Sequence, residues 1–270
     1  CIRDRGGEDA SRADYDFLLQ VIETAQAAGA RRFRFADTVG VMEPFGVLNI
    51  MQRLRGCSDI ELEMHAHDDL GMATANTAAA VMGGATHVNT TVHGLGERAG
   101  NAPLEEVVMA LHHLYHIETG VDLSSYNDLS VLVSEASGRP VAWHKSLVGG
   151  GAFTHEAGIH VDGLIKDPMN YQGVVDPAEI GSSHRLILGK HSGTHAVHSA
   201  YSEIGLTLGE EQASTILASI RRFVTSTKRI PGIADLRRFY ELLPDVTAFS
   251  YAAVQPPSVA MSYNQTAKQV

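Results

Sequence analysis

Glu61-Leu-Glu-Met-His-Ala-His-Asp-Asp-Leu-Gly71 has the pattern of a short strand that runs into a polar loop. Because side chains alternate along a strand, His65 and His67 face the same side, where two imidazoles can hold a divalent cation. Parallel α/β enzymes place their chemistry at the carboxyl ends of buried strands, which is where this pair stands. The alternative is coincidence, because 14 histidines in 270 residues make a chance His-x-His pair a common event.

Strands and helices alternate around this stretch. Apolar and β-branched runs predict strands at 32–36, 60–65 and 87–92. Amphipathic helices follow each strand, and another precedes the first, with Ser11 as its predicted N-cap. The units repeat at about 28 residues, which predicts an α/β class with a parallel sheet. Three strands cannot close an eight-stranded barrel, so either the sheet is open or strands in front of this chain complete it.

The pattern changes after Gly120. A Gly-rich linker, one short strand and several helices are predicted there, with the strand at 185–188 and helices at 124–137, 155–164, 194–204, 210–228 and 233–243. We therefore divide the chain into four parts: a partial catalytic domain at 1–120, a linker helix and Gly-rich loop at 121–150, C-terminal subdomains at 151–243, and a tail at 244–270. The tail combines Pro, Ser and Gln without an apolar period, which predicts disorder.

Composition limits the functional class. A formal net charge of −10 and a pI near 5.7 argue against a nucleic-acid surface, which needs a basic stripe. Two cysteines are too few for a disulfide framework or a cysteine-based zinc site, and they fit a reducing cytoplasm. No apolar run reaches the length of a membrane span, so no membrane partner is expected.

Two further loops follow predicted strands. Asp37-Thr38-Val39-Gly40 offers a hydroxyl and backbone N–H groups that can hold a carboxylate, although such residues also form ordinary turns. Gly94-Leu-Gly-Glu-Arg-Ala-Gly-Asn101 lets a ligand approach the backbone, and Asn101 can offer its amide oxygen to a metal. Its spacing differs from the dinucleotide fingerprint, and a plain βα loop is the alternative.

Two motifs in the second half resemble known signatures without matching them. Gly189-Lys-His-Ser-Gly193 lacks the spacing of a phosphate-binding Walker loop, so a tight turn is the better interpretation. His155 and His160 stand five residues apart, whereas a metalloprotease helix needs histidines four apart. His160, followed later by Tyr171, can instead serve acid–base chemistry.

Taken together, these motifs resemble the isopropylmalate synthase and homocitrate synthase family, Claisen-type acyltransferases built on a TIM barrel. The long matches are His65-Ala-His67-Asp-Asp-Leu-Gly-Met-Ala-Thr-Ala-Asn and Gly94 to Asn101, and the resemblance covers about residues 6 to 243. Shorter motifs follow in the family's order: Glu8-Asp-Ala-Ser-Arg12, Ala36-Asp-Thr-Val-Gly40, Phe153-Thr-His-Glu-Ala-Gly-Ile-His160 and Gly189 to Gly193. The finer resemblance is to the nitrogenase-associated (NifV-type) homocitrate synthases, through Trp143-His-Lys-Ser, Asn170-Tyr171, Ser183-His-Arg-Leu and Phe239-Tyr240.

The resemblance implies a divalent metal site, for Mg, Mn or Zn. His65 and His67 correspond to two metal ligands, and Asn101 stands where a further ligand lies. Glu63 projects to the same side as His65 and is expected to support it from behind.

The resemblance also implies roles around the substrates. Thr38 corresponds to the threonine that holds the keto-acid carboxylate, and Arg12 is expected to bind substrate. Glu8 is assigned to catalysis, in the substrate-facing stretch after an earlier strand. His160 corresponds to the family's catalytic histidine, which reaches the partner subunit's barrel in a homodimer, and Tyr171 has the spacing from it found in homocitrate synthases.

The implied reaction joins acetyl-CoA to an α-keto acid. With 2-oxoglutarate and water the products are homocitrate and CoA, in the service of nitrogenase iron–molybdenum cofactor synthesis. The alternatives are a 2-isopropylmalate or citramalate synthase, or a non-catalytic piece that pairs with a full-length subunit.

The chain departs from the family in two places. The family's first strand carries Asp-x-Thr-Leu-Arg-Asp-Gly-x-Gln, which supplies a metal-binding Asp and a catalytic Arg, and this sequence has no such motif. His93 stands where the family usually has Asn. By the strand count about five of eight βα units are expected to be missing, so we predict a C-terminal fragment that is inactive alone.

Overall fold

The computed structural model describes residues 4–156, 163 and 173–243, and these fall into two compact units that divide between residues 187 and 188. The first unit contains a sheet of four parallel strands in the order β1-β2-β3-β4. Their bounds are β1 (Asp4–Gly7), β2 (Arg32–Asp37), β3 (Glu61–Ala66) and β4 (His87–Asn89). The register places Ala36 of β2 beside His65 of β3, and His65 beside Asn89 of β4.

The first strand corrects the strand count. Residues Asp4–Gly7 pair in parallel with β2, although no strand was predicted there. The segment Asp-Arg-Gly-Gly contains no apolar residue and is mostly exposed, so apolar patterning could not reveal it. Four parallel strands are half of a (β/α)8 barrel, so the predicted three units become four.

Helices follow each strand. Their bounds are α1 (Tyr15–Ala27), α2 (Pro44–Cys57), α3 (Ala73–Met82) and α4 (Leu104–Tyr115). The predicted cap at Ser11 is wrong, because Ala10–Arg12 form a short 3-10 turn and the Asp14 carboxylate caps α1 instead. Pro44 starts α2, and the Glu43 carboxylate accepts backbone N–H groups at the same end.

The core of this unit lies between the sheet and its helices. Aromatic and aliphatic residues of β2 and β3 meet apolar residues of the helices, principally Phe33, Phe35, Leu62, Met64, Ile22, Val47, Met51 and Leu54. Helices α2 and α3 approach closely at Gly83, where a Cβ would stand 2.6 Å from the Cβ of Met51. Gly83, directly after α3, therefore allows the two helices to pack closely.

The rest of the first unit is built around α5 (Tyr126–Ser137) and a short parallel strand pair, β5 (Thr154–His155) with β6 (Arg185–Leu186). A second apolar cluster joins α4, α5 and the 3-10 helix Pro177–Ile180, through Val108, Met109, Leu123, Tyr126 and Ile180. The helix predicted at 155–164 is wrong at its start, because His155 lies in β5. Most of that predicted helix, including His160, lies outside the described residues, as does Tyr171.

In the second unit the described residues form three helices, α6 (Thr194–Glu203), α7 (Glu210–Thr227) and α8 (Ile233–Glu241), close to their predicted bounds. Tyr201 is fully buried among them, and its hydroxyl donates to the carbonyl of Leu236 at 2.6 Å. The predicted class, α/β with the C-terminal part of a TIM barrel followed by a mostly helical region, is confirmed. The division at residues 120 and 150 stays a prediction, and the predicted disordered tail lies outside the described residues.

Among the described helices, none is both long and apolar enough to cross a membrane.

Candidate metal and substrate site

The site is built where β2, β3 and β4 end. Parallel pairing brings these carboxyl ends to one edge of the sheet, so the residues that follow each strand become neighbours. The rings of His65 and His67 lie with their centroids 4.9 Å apart and nearly perpendicular, at 83°. The alternation of the strand therefore brings the two imidazoles together, as predicted from their spacing.

His65 is oriented by its neighbour on β4. Its Nδ1 lies 3.1 Å from Oδ1 of Asn89, whereas the predicted partner, Glu63, is taken up by arginines of β2. Glu63 is almost fully buried and contacts Nε of Arg34 at 2.6 Å and Nη1 of Arg32 at 3.4 Å. Asn89 is thus the hydrogen-bond partner of His65, whereas Glu63 acts on that ring through its negative charge, which raises the pKa of His65.

Burial lowers the pKa of His65, and the neighbouring His67 lowers it further by charge repulsion. The imidazole of His65 therefore favours its neutral form, whose free lone pair is the one that a metal binds.

Two atoms at this edge are buried without a hydrogen-bond partner among the residues that the structure describes. They are Nδ1 of His67 and Oδ1 of Asn101. Their backbones pair across an antiparallel bridge, and the other side of the Asn101 amide is fixed by donation from Nδ2 to the carbonyl of Leu95 at 3.0 Å. A buried nitrogen and a buried amide oxygen left unsatisfied cost free energy, and a divalent cation would satisfy both. The donor set of His65, His67 and Asn101 therefore fits a metal.

The loop at residues 94–101, called the glycine loop below, holds Asn101 in place. Gly94 and Gly100 have φ of +73° and +95°, and a Cβ on Gly100 would stand 2.1 Å from the carbonyl oxygen of Gly94. A Cβ on Gly96 would stand 2.3 Å from Nδ2 of Asn101. The glycines are required because the loop wraps closely around that amide.

An arginine joins three of these loops. The Arg98 guanidinium contacts both oxygens of Asp69, at 3.0 and 3.1 Å, and also donates to the carbonyl oxygen of Thr38. Its hydrogen bond lowers the pKa of Asp69 below the usual range. Sequence reasoning missed this contact, because Arg98 and Asp69 stand 29 residues apart and no local motif links them.

The predicted substrate residues gather around the same sheet edge. The hydroxyl of Thr38 accepts from the backbone N–H of Asp9 at 2.8 Å, which ties the loop after β2 to the loop after β1. Arg12 pairs with the Asp9 carboxylate, with Nε to Oδ1 at 2.9 Å. Glu8 is exposed directly after β1. The roles assigned to Glu8, Arg12 and Thr38 stay predictions.

A buried polar network supports the glycine loop from behind. Glu105 is fully buried, and its Oε2 accepts from the Tyr126 hydroxyl and, at 3.3 Å, from the backbone N–H of His93. Nε2 of His93 lies 2.7 Å from the Ser130 hydroxyl, and Lys145 Nζ lies 3.5 Å from the second Glu105 oxygen. Helix α5 is thereby attached to the start of the loop that carries Asn101. This network involves His93, the residue at which the sequence departs from the family pattern.

Comparison with known proteins gives two family matches and several relatives. Residues 4–133 match the HMGL-like family model, and residues 147–228 match the model described as homocitrate synthase post-HMGL domain-like. A 2-isopropylmalate synthase of Caldanaerobacter subterraneus is 47% identical over 234 residues, which are 87% of this chain and 61% of that protein.

Two further relatives have similar identity. Homocitrate synthase 1 of Nostoc sp. is 47% identical over 224 residues, or 83% of this chain and 59% of that protein. A 2-isopropylmalate synthase of Sulfurisphaera tokodaii is 44% identical, over 83% of this chain and 58% of that protein. The chain thus spans about three fifths of the length of these curated relatives. It carries an HMGL-like domain, matched over residues 4–133, followed by a homocitrate synthase post-HMGL domain-like region, matched over residues 147–228.

Proposed function

We propose that this chain is part of an acyltransferase that condenses acetyl-CoA with 2-oxoglutarate and water to give homocitrate and CoA. The observation that carries the proposal is the pair of unsatisfied buried atoms, Nδ1 of His67 and Oδ1 of Asn101, at the carboxyl edge of a parallel sheet. Its setting supports the same function, because an HMGL-like match and a homocitrate synthase post-HMGL match follow one another in this chain.

His65, His67 and Asn101 would hold Mg, Mn or Zn, and the bound metal would polarise the keto carbonyl as a Lewis acid. Asn89 orients the His65 ring, and the glycine loop fixes the amide of Asn101. Both groups are therefore placed before any ligand arrives.

The remaining steps belong to the chain's own residues. The hydroxyl of Thr38 and the guanidinium of Arg12 would bind the keto-acid carboxylate. His160, aided by Tyr171 and with Glu8 as a further acid–base group, would take a proton from the methyl group of acetyl-CoA. The enolate carbon then forms the bond to the keto carbon, the new alkoxide takes a proton, and water cleaves the thioester to release CoA.

Within the family, we assign the chain to the NifV type of homocitrate synthase. This type would supply homocitrate for nitrogenase cofactor assembly in the cytoplasm, and it would act as a homodimer. The homocitrate synthase post-HMGL match over residues 147–228 supports homocitrate synthesis, and the NifV type rests on motifs such as Trp143-His-Lys-Ser and Asn170-Tyr171. A second candidate is a 2-isopropylmalate synthase, because relatives of that name reach the same identity, 47%. The two candidates differ only in the keto acid that is consumed.

The experiment uses two proteins. One is the chain itself, for which we expect little turnover, since four parallel strands are half of a barrel. The other joins residues 4–243 behind the part of the Nostoc homocitrate synthase that precedes its matched region. Each is assayed for CoA release from acetyl-CoA with Mg²⁺, Mn²⁺ or Zn²⁺ and with 2-oxoglutarate, 2-oxoisovalerate or pyruvate.

We expect the chimera to release CoA with 2-oxoglutarate, and His67→Ala or Asn101→Ala to lower kcat by at least about a hundredfold. The exposed His144→Ala is the matched control and should leave the rate unchanged. Full activity after His67→Ala would contradict the assigned site. Turnover with 2-oxoisovalerate alone, behind a segment taken from a homocitrate synthase, would favour the second candidate.

A further inference from the structure

A second group of potential metal ligands lies away from the sheet edge. His112 and His113 are at the end of α4, and Glu179 is in the 3-10 helix Pro177–Ile180. One ligand atom from each of the three lies within 4.8 Å of the others. We propose that these residues form a second metal site, which takes Zn²⁺ and joins the end of α4 to this 3-10 helix.

The cluster is separate from the His65 and His67 site. Helix α4 begins three residues after Asn101, and its rise of 1.5 Å per residue carries His112 about 12 Å further along the axis. The three ligand residues also include none of the residues at the sheet edge.

The side chain of Glu179 is oriented by the turn to which it belongs. Its Oε1 accepts from the backbone N–H of Asp176 at 2.9 Å, in a capping box, which directs Oε2 toward His113. Nε2 of His113 lies 2.9 Å from that oxygen. Neighbouring ligand atoms in a tetrahedral zinc shell are about 3.3 Å apart, so a small widening of this pair admits the ion.

A second carboxylate lies against the other imidazole. Nδ1 of His112 is 2.8 Å from Oε1 of Glu118, and the rings of His112 and His113 have centroids 4.6 Å apart. Metal-binding histidines commonly contact a carboxylate that orients the ring and raises its basicity. Two imidazoles with a carboxylate are a set that suits zinc and leaves a position for water.

The backbone beneath the cluster is fixed without any metal. Ile180, beside Glu179, is fully buried in the apolar cluster that also contains Val108 and Met109 of α4. Gly181 ends the 3-10 helix with φ of +72°, and a Cβ there would stand 2.6 Å from the carbonyl of Ser124. The ligands therefore project from two elements that already pack together, and only side chains need to move.

Zinc here would connect the two family-matched regions. His113 lies in the region matched over 4–133 and Glu179 in the region matched over 147–228, 66 residues apart in sequence. A cation that binds only the folded arrangement stabilises it by mass action. The proposed role of the zinc is therefore structural, because it links the two regions. When the metal binds Nε2 of His113, the proton on that nitrogen is released to solvent or moves to Nδ1.

The test is a calorimetric titration of the metal-free chain, residues 1–270, with Zn²⁺ alone. A His65→Ala/His67→Ala background removes the first site, so the outcome does not depend on the proposed function. We expect one equivalent of zinc to bind in that background, and the addition of His112→Ala/His113→Ala to remove it. Glu179→Gln, which keeps an acceptor for Asp176, should weaken affinity at least tenfold, and Glu118→Gln about tenfold.

His144→Ala, which removes an exposed histidine elsewhere, is the matched control and should leave affinity unchanged. In the His65→Ala/His67→Ala background, zinc should raise the Tm of the parent and of this control, but not of the protein that also carries His112→Ala/His113→Ala. Circular dichroism of each metal-free variant checks folding, and the unchanged cap in Glu179→Gln provides a variant that folds. Equal zinc stoichiometry and affinity with and without His112, His113 and the Glu179 carboxylate would overturn the proposal.

Discussion

Glu105 is a carboxylate on α4 whose side chain is fully buried against Tyr126 of α5. The Tyr126 hydroxyl and the backbone N–H of His93 donate to one oxygen, and Lys145 lies 3.5 Å from the other. A buried charge is tolerated only when such partners replace its hydration. Burial and the Glu105 contact also raise the pKa of Tyr126, so its hydroxyl keeps the proton that it donates.

Tyr126→Phe should therefore destabilise the protein although it removes a single oxygen. The loss leaves a buried carboxylate short of a donor, which costs about 1–3 kcal/mol of the free energy of unfolding. Urea unfolding followed by circular dichroism measures the change. Tyr115→Phe, at a tyrosine that is 39% exposed, is the control and should shift the free energy by less than about 0.5 kcal/mol. Equal effects of the two variants would contradict the role given to Glu105.

Single residues also show where sequence reasoning reaches its limit. The proximity of His65 and His67 was predictable, because side chains two residues apart on a strand point to the same face of the sheet, whatever the rest of the fold is. The hydrogen-bond partner of His65 was not predictable, because the register between β3 and β4 is what brings Asn89 beside it. Arg98 and Asp69 are 29 residues apart, and no local pattern encodes their contact.

At the level of elements, the glycine loop is the most constrained segment of the site. Gly100→Ala places a methyl group against the carbonyl of Gly94, at 2.1 Å, and also strains a positive φ. Gly71→Ala is a matched control, because φ there is +71° but nothing lies within 4 Å of the new Cβ. The control should lose about 1 kcal/mol of unfolding free energy and the Gly100 variant about 3 kcal/mol.

Metal affinity separates the two glycine variants further. The Gly100 variant displaces Asn101 and should bind Mn²⁺ at least about tenfold more weakly, whereas Gly71→Ala should bind it normally. Calorimetric titration in the His112→Ala/His113→Ala background makes the measurement at one site only. Equal affinities would show that the loop does not position Asn101.

Helix α8 provides a test of pH dependence. The Asp235 carboxylate pairs with Arg229, at 2.7 and 2.9 Å, and accepts from the backbone N–H of Gly232. These contacts, the arginine first, lower the pKa of Asp235 below its ordinary value of 3.8. Because the folded pKa lies below the unfolded one, the stabilisation is present above 3.8 and is lost as pH falls through the folded pKa.

Asp235→Asn should therefore lower the Tm near neutral pH and have a vanishing effect in acid. Thermal unfolding between about pH 2.5 and pH 7 measures the difference between the two proteins. Arg229→Gln removes the main cause of the shift and should abolish most of that pH dependence. A Tm difference that stays constant over the whole range would show that the ion pair does not contribute.

Element boundaries were predictable where local chemistry sets them. Pro44 and the apolar period of α2 locate that helix, and Gly209 precedes α7 as the pattern requires. Strand β1 was missed because Asp-Arg-Gly-Gly is extended only through its pairing with β2. The composition of these four residues does not indicate a strand. The short strand β5 was missed for the same reason, since Thr154 and His155 are extended only beside Arg185 and Leu186.

For the whole molecule, the compact units 1–187 and 188–270 each have a buried core of their own. In the first, Tyr126 joins an apolar cluster with Ile180 and Met109. In the second, Tyr201 is fully buried, and its hydroxyl is bonded to the carbonyl of Leu236. Separate cores predict separate cooperative transitions, because each core loses its packing as a unit.

Differential scanning calorimetry of the full chain should then show two transitions that respond to different substitutions. Tyr126→Phe should lower one of them and Tyr201→Phe the other, each by about 4 °C for a loss near 1 kcal/mol, since each removes a buried hydrogen bond. The double variant should show both shifts at once, with their sizes unchanged, because independent units do not couple. A single transition that moves with either substitution would mean that the two cores unfold together.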